Sequence, residues 1–192
     1  MSEDEPVRKD VSQRKRPRGA VRRFGRSQQG ATLIEFALVL PIMIMLFIAV
    51  VEFGEVFSVN RKISNAASTV SDLISQENTV TNAKLQDIAI VASEIVKPYR
   101  TAPFSLRVIS IIANDTNTAA TVAWTYPAGS PAVGSVFPLP GGQRMTEPNS
   151  SLIVAETSYA FTPSMGYFVG DITLNGVAYF RPRLARTVAK TD

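Results

Sequence analysis

The hydrophobic pattern of the chain falls into four regimes, and each predicts its own kind of element. Residues 1–30 are polar and charged, with Pro6, Pro17 and Gly19. Such a stretch cannot bury enough apolar surface to order itself, so a disordered leader is expected there. At Ala31 an apolar run begins and continues to Val51, with Glu35 its one charged residue. As a helix at 1.5 Å per residue, this run is about 31 Å long, matching a hydrocarbon core of about 30 Å. From Asn60 to Ser75 the apolar positions are Ile63, Ala66, Ala67, Val70, Leu73 and Ile74. That is helical spacing, so the membrane helix is expected to continue as an amphipathic one, with a break near Gly54. A second helix is predicted over 81–97, capped by Thr81 or Asn82, stopped by Pro98, and striped by Leu85, Ile88, Ala89, Ala92, Ile95 and Val96.

Beyond Pro98 the period falls to two. Strands are predicted over 105–113, 119–126, 151–161 and 171–180. The second of these places Val122, Trp124 and Tyr126 on one face and Thr121, Ala123 and Thr125 on the other. Asn114 to Thr118 reads as a hairpin loop, and Pro163 with Gly166 suits the turn before the last strand. Residues 127–150 carry five prolines and four glycines, the composition of a long surface loop. The fold class is therefore α+β: a long N-terminal transmembrane helix, its amphipathic continuation, a second helix and about four mainly antiparallel strands. A helix laid over such a sheet buries both apolar faces. The organisation read from these patterns is a leader at 1–30, a transmembrane helix at 31–57 and an extracytoplasmic domain at 58–192.

Charge sets the orientation of that helix. The leader holds nine Lys/Arg against four Asp/Glu, a net of +5, while residues 31–192 hold eleven against twelve, a net of −1. The basic character thus belongs to the leader alone. Arg14, Lys15, Arg16, Arg18, Arg22, Arg23 and Arg26 precede the apolar run, and Glu52 and Glu55 follow it. The positive-inside rule puts the N-terminus in the cytoplasm and the C-terminal domain across the membrane. The remainder of the chain offers no basic face for nucleic acid, so no nucleic-acid partner is expected. A cleaved secretory signal has a shorter core and small residues after it. Here the core is long, and Glu52-Phe53-Gly54-Glu55-Val56-Phe57 follows, so removal after the helix is not expected.

Candidate chemistry is sparse. There is no cysteine and no histidine, which removes thiolate chemistry, disulfides, the commonest general base and the commonest metal ligand. No nucleophile elbow, P-loop or H-E-x-x-H is present. Neither an enzyme activity, a metal nor a cofactor is expected. Glu156, within an apolar strand, is expected to face solvent or pair with an arginine such as Arg107, and Trp124 with Tyr126 to be core.

The informative chemistry lies at the start of the apolar run. A carboxylate at the bilayer centre costs about 2.5–3.5 kcal/mol; Glu35, about 6 Å inside the end, is expected to incur a smaller but real penalty. A cut between Gly30 and Ala31 would create a free ammonium at Ala31, and Glu35 of a neighbouring subunit would neutralise it. Pro41 cannot donate to the carbonyl of Ala37, so a bend or loosened turn is expected there.

Gly30-Ala31-Thr32-Leu33-Ile34-Glu35 resembles the processing site of type IV prepilins and pseudopilins. More specifically, residues 22–57 resemble TadE/TadG-like proteins of the tight-adherence (Flp pilus) assembly system, through the basic-Phe-basic leader, Ile34-Glu35-Phe36-Ala37-Leu38-Val39-Leu40-Pro41 and Glu52-Phe53-Gly54. Softer likenesses follow at Asn65-Ala66-Ala67, Asp72-Leu73-Ile74-Ser75, Trp124, residues 153–159, Thr162-Pro163 and Tyr179-Phe180-Arg181-Pro182-Arg183.

The resemblance implies a pilin-like fold, cleavage after Gly30 by a prepilin peptidase, and Glu35 as the fifth residue of the mature chain. It implies as partners other pilin and pseudopilin subunits, the pilus assembly machinery of the bacterial inner membrane, and membrane lipid. The long leader, the size of the chain and Phe36 where the major pilin has Tyr favour a minor subunit over the shaft protein. The alternative is an uncleaved single-pass anchor presenting a periplasmic binding module.

Overall fold

A computed structural model of the protein describes residues 28–140 and 142–192. The leader expected over 1–30 therefore lies outside the described residues except for its last three. The elements in chain order are helix α1 (Gln28–Ser75), strand β1 (Thr79–Val80), helix α2 (Asn82–Ile95), strands β2 (Phe104–Ala113) and β3 (Ala120–Tyr126), a 3-10 turn (Gly142–Met145), and strands β4 (Ser151–Phe161), β5 (Ile172–Phe180) and β6 (Ala189–Lys190). The architecture is α+β, as the periodicity predicts. The chain divides into two compact units between Phe47 and Ile48.

In the first unit the described residues are helical throughout. Pro41 lies inside α1. The side chains from Ala31 to Leu46 are exposed all round, and the most apolar 18-residue stretch of α1 has a mean hydropathy of 2.8 with none of it buried. A core helix of a water-soluble domain would have that surface covered. α1 is thus long, apolar and uncovered enough to cross a membrane.

The second unit begins within α1, which passes through Gly54 without the expected break. Glycine inside a helix costs about 1 kcal/mol against alanine, and nothing lies within 4 Å of where a Gly54 Cβ would stand. The helix is held at this level by its neighbours Glu52 and Val59, both fully buried. Further along, Ile63, Ala66, Ala67, Val70 and Ile74 are buried as the spacing predicts, but Leu73 is exposed, and Ser71 and Ser75 take the inner positions instead. The buried stripe follows i, i+4 steps through Ala67, Ser71 and Ser75, which lie one above another on one face.

α2 starts one residue later and ends two earlier than predicted. Thr81 caps it by accepting from the Lys84 N–H at 3.2 Å, and both carboxylate oxygens of Asp192 accept from the Asn82 N–H at 2.9 Å. At the other end the ammonium of Lys62, on α1, donates to the carbonyls of Lys97 at 2.7 Å and Ile95 at 3.3 Å. Both ends therefore satisfy orphan backbone groups that the helix itself cannot pair.

The four long strands form one antiparallel sheet in the order β3-β2-β4-β5. The helices cover one face, where Ala66, Ala67, Val70, Leu85, Ala92, Val108, Trp124, Ile153, Ala155 and Ala178 pack together. The closest approach is at Gly176 of β5. A Cβ there would lie 2.7 Å from Thr157 Oγ1 and 3.1 Å from the carbonyl oxygen of Ile63. Thr157 Oγ1 donates to that same carbonyl at 2.9 Å, stitching β4 to α1.

One assignment of strand faces is corrected. Val122 and Trp124 do not share a face: Trp124 joins the helix-side core, while Val122 and Ala120 pack with Ile109, Ile111, Leu152 and Val154 on the opposite side. The register between β2 and β3 slips at this point, Ser110 pairing with Trp124 and Ile111 with Val122, so Ala123 is the extra residue of a β-bulge. One inserted residue sends every later side chain to the other face.

The second core exists because the 127–150 segment, expected as a surface loop, lies across part of the outer sheet face. Phe137, Leu139 and Met145 pack on it, and Val122 and Ala120 exchange backbone bonds with residues 134–137. This covers the β3 edge that would otherwise be free to pair with another chain. The two-residue strands β1 and β6, which periodicity does not reveal, pair in parallel and hold the C-terminal tail beside α2. The Trp124 indole N–H donates to the Val188 carbonyl at 2.8 Å within that tail.

These contacts set opposite signs for two glycine substitutions. Gly176→Ala should destabilise the folded protein by about 1–3 kcal/mol, since the new methyl meets backbone that cannot recede. Gly54→Ala should stabilise it by about 0.5–1 kcal/mol. Thermal unfolding of the purified protein in detergent, followed by near-ultraviolet circular dichroism of Trp124, distinguishes the two.

Candidate functional site

The residues singled out at the start of the apolar run lie on one continuous helix. Gly30 is half-buried, and Ala31, Glu35 and Pro41 are exposed. Ala31 and Glu35 stand four residues apart and so occupy the same helix face one turn apart. A positive charge at Ala31 would therefore lie on the same face as the carboxylate of Glu35. The uncovered apolar side chains around them leave this stretch open to lipid or to other apolar helices.

Within the second unit, the junction between the apolar run and the folded domain is built on two acids. Glu52 is fully buried. Its Oε1 accepts from the Tyr167 N–H at 2.8 Å, and its Oε2 from the N–H groups of Phe168 and Val169, both at 2.9 Å. Gly166 precedes them at φ +70°, a left-handed conformation that glycine adopts without strain and that turns successive N–H groups toward one centre. One turn further on, Glu55 accepts from the Ser164 hydroxyl at 2.7 Å and the Ser164 N–H at 3.2 Å. The β4–β5 loop is thus fastened to α1 by five hydrogen bonds to two carboxylates. Charge-assisted bonds of this kind are roughly twice as strong as neutral ones.

Sequence reasoning used Glu52 and Glu55 only as flanking charges and missed this role. The available signal was their i, i+3 spacing directly after an apolar run, which puts both on one helix face. The partner could not be read, because the loop lies more than 100 residues away in sequence.

The other residues singled out in the sequence lie within the folded domain. Arg107 and Glu156 face each other across β2 and β4, and Arg107 Nε donates to Glu156 Oε2 at 2.7 Å, as expected. This pair lines an open groove of about 520 Å³ on the outer sheet face with Ser105, Pro127, Ser158 and Val177. Trp124 is buried core. Arg183 pairs with Asp72, and Arg181 donates to Glu147 and to the Met145 carbonyl, fixing the chain after β5. Among the described residues no group of three or more acidic side chains is gathered in a way that could hold a metal ion.

The geometry defines a class: a chain whose first described helix can cross a membrane and continues unbroken into a compact α+β domain. Residues 30–72 match the model of a family described as TadE-like protein, so this segment of the chain is TadE-like, in agreement with the resemblance carried by Gly30 to Pro41 and Glu52 to Gly54. Neither the curated proteins nor the solved structures contain a match to the chain.

Replacing Glu52 by alanine should release the loop while leaving the sheet intact. Amide exchange at Tyr167, Phe168 and Val169 is expected to quicken roughly tenfold or more, with the amides of β2 and β4 unchanged, because local opening is governed by local bonds. Hydrogen-exchange mass spectrometry of both proteins in detergent reads this directly.

Proposed function

We propose that the protein is a minor pseudopilin-like subunit or assembly factor of a Tad/Flp-type pilus, with a structural rather than an enzymatic role. The observation that carries this reading is the TadE-like match over residues 30–72, which begins at the glycine preceding the proposed cut. On this reading the chain sits in the bacterial inner membrane with its N-terminus in the cytoplasm and its α+β domain in the periplasm. A prepilin peptidase removes the leader after Gly30, leaving Ala31 with a free ammonium.

The mechanism is physical. In hydrocarbon an isolated ammonium or carboxylate is costly, so each seeks its opposite. The ammonium of one subunit and Glu35 of its neighbour neutralise each other and set the axial stagger between adjacent helices. The uncovered apolar surface from Leu33 to Phe47 packs among other pilin and pseudopilin helices. Pro41 leaves one carbonyl without its helical partner, a local softness that suits a helix moving between lipid and a helical bundle. The α+β domain, continuous with the same helix, is presented to the pilus assembly machinery of the inner membrane.

The N-terminal residue and mass of the protein recovered from native membranes test this reading. Wild type is expected to begin at Ala31, and Gly30→Ala to keep its leader. Glu35→Ala is expected to be processed and to insert, but to lose recovery with pilin subunits after cross-linking. If wild type retains residues 1–30, processing is refuted and the chain is an uncleaved anchor presenting a periplasmic binding module.

A further inference from the structure

We propose that the β4–β5 loop is a membrane-interface anchor, in which Met165, Tyr167 and Phe168 enter the boundary between lipid headgroups and acyl chains beside α1. The inference rests on the reading that α1 crosses the membrane.

The position follows from Glu52. A helical side chain leans toward the N-terminus and covers the turn before its own Cα. The Glu52 carboxylate therefore lies over residues 48–51, the final turn of the apolar run. The backbone of residues 167–169 is hydrogen-bonded to that carboxylate at 2.8–2.9 Å, so the loop stands level with the point where the apolar run ends.

Its chemistry suits that level. Tyr167 is 76% exposed, Met165 49% and Phe168 45%: three large, largely apolar side chains within four residues of a loop tip. Phe53 and Phe57 on the neighbouring part of α1 are also exposed. Facing water, such a cluster leaves apolar surface hydrated, which is unfavourable. At the membrane boundary aromatic rings are enriched, with the tyrosine hydroxyl in reach of water and headgroups.

The backbone arrangement points the same way. A loop near hydrocarbon must have its N–H groups satisfied within the protein. The N–H groups of Ser164, Tyr167, Phe168 and Val169 all turn inward to Glu55 and Glu52, leaving the side chains to turn outward. Arg100 is exposed on the adjacent connection and lines the same cavity as Glu55 and Ser164. A cation at this level suits anionic headgroup phosphates. Polar backbone held inward, apolar side chains outward and an arginine at the rim together fit a lipid interface. The anchor would hold the β4–β5 end of the α+β domain at the bilayer surface.

The chain has no cysteine, so single cysteines can be spin-labelled in the full-length protein. Tyr167→Cys, Met43→Cys and Asp115→Cys are reconstituted separately in vesicles of phosphatidylethanolamine and phosphatidylglycerol. Collisions of each label with oxygen, which partitions into lipid, and with a water-soluble nickel chelate report its depth. Position 43 should be deep, position 115 aqueous and position 167 intermediate, with chelate access at least roughly threefold below that of 115.

If 167 is as open to the chelate as 115 while 43 remains deep, the anchor is refuted and the membrane-spanning reading stands. If 167 is shielded from oxygen and chelate alike, a protein neighbour covers it and the lipid assignment is likewise overturned. If 43 is itself aqueous, the spanning reading fails and takes the anchor with it.

Discussion

One unbroken helix carries two different kinds of surface, and the folded domain is arranged around the change between them. From Ala31 to Phe47 its side chains, apolar but for a few such as Glu35, are exposed in every direction, a surface that lipid or other apolar helices can cover. From Glu52 onward one face of it, through Val59, Ile63, Ala66, Val70 and Ile74, is buried in the folded domain. The change occurs within a single turn, and the helix runs on through it. Glu52 is the residue at which the change is made. It is buried by the domain and bonded to backbone N–H groups of a loop far away in sequence.

From that junction the domain can be followed outward. Small residues on α1 and glycine at position 176 let the helix approach β4 and β5 until Thr157 reaches the Ile63 carbonyl. The Lys62 ammonium then closes the end of α2, and α2 fills the rest of the same sheet face. The opposite face is finished by the Pro/Gly-rich segment, which supplies Phe137, Leu139 and Met145 and covers the β3 edge. The tail after β5 is held by Arg181, Arg183, Val188 and β6, and its last acid caps α2. The fold thus covers the β3 edge of its sheet with its own Pro/Gly-rich segment.

Most of this was legible in the residues. The four long strands fall within one residue of the positions set by alternation. The 3.6-residue spacing found both helical stripes, except that Leu73 yields its place to Ser71 and Ser75. The Gly30–Glu35 motif and the apolar run need no structure to be recognised, because they are local. Other features were not legible, among them the unbroken passage of α1 through Gly54. A bulge at Ala123 exchanges the faces of Val122 and Trp124, and a one-residue insertion leaves no compositional mark. β1 and β6 are too short to show a period. The outward-facing cluster of Ile109, Ile111, Leu152 and Val154 requires a loop whose composition speaks only of turns.

What the sequence by itself determined is everything governed by neighbours a few residues apart: the apolar span and its charged flanks, the helical and strand periods, the proline stops, and the Gly-Ala-x-x-x-Glu pattern at the start of the segment, residues 30–72, that matches the TadE-like family. What only the tertiary structure decided is which distant groups meet. Glu52 reads in sequence as one more flanking acid; in the fold it is the buried acceptor for a loop more than a hundred residues away. The physical reason is that periodicity and hydropathy are properties of a local window, whereas the pairing of a buried carboxylate depends on which backbone donors the completed fold brings within 3 Å of it.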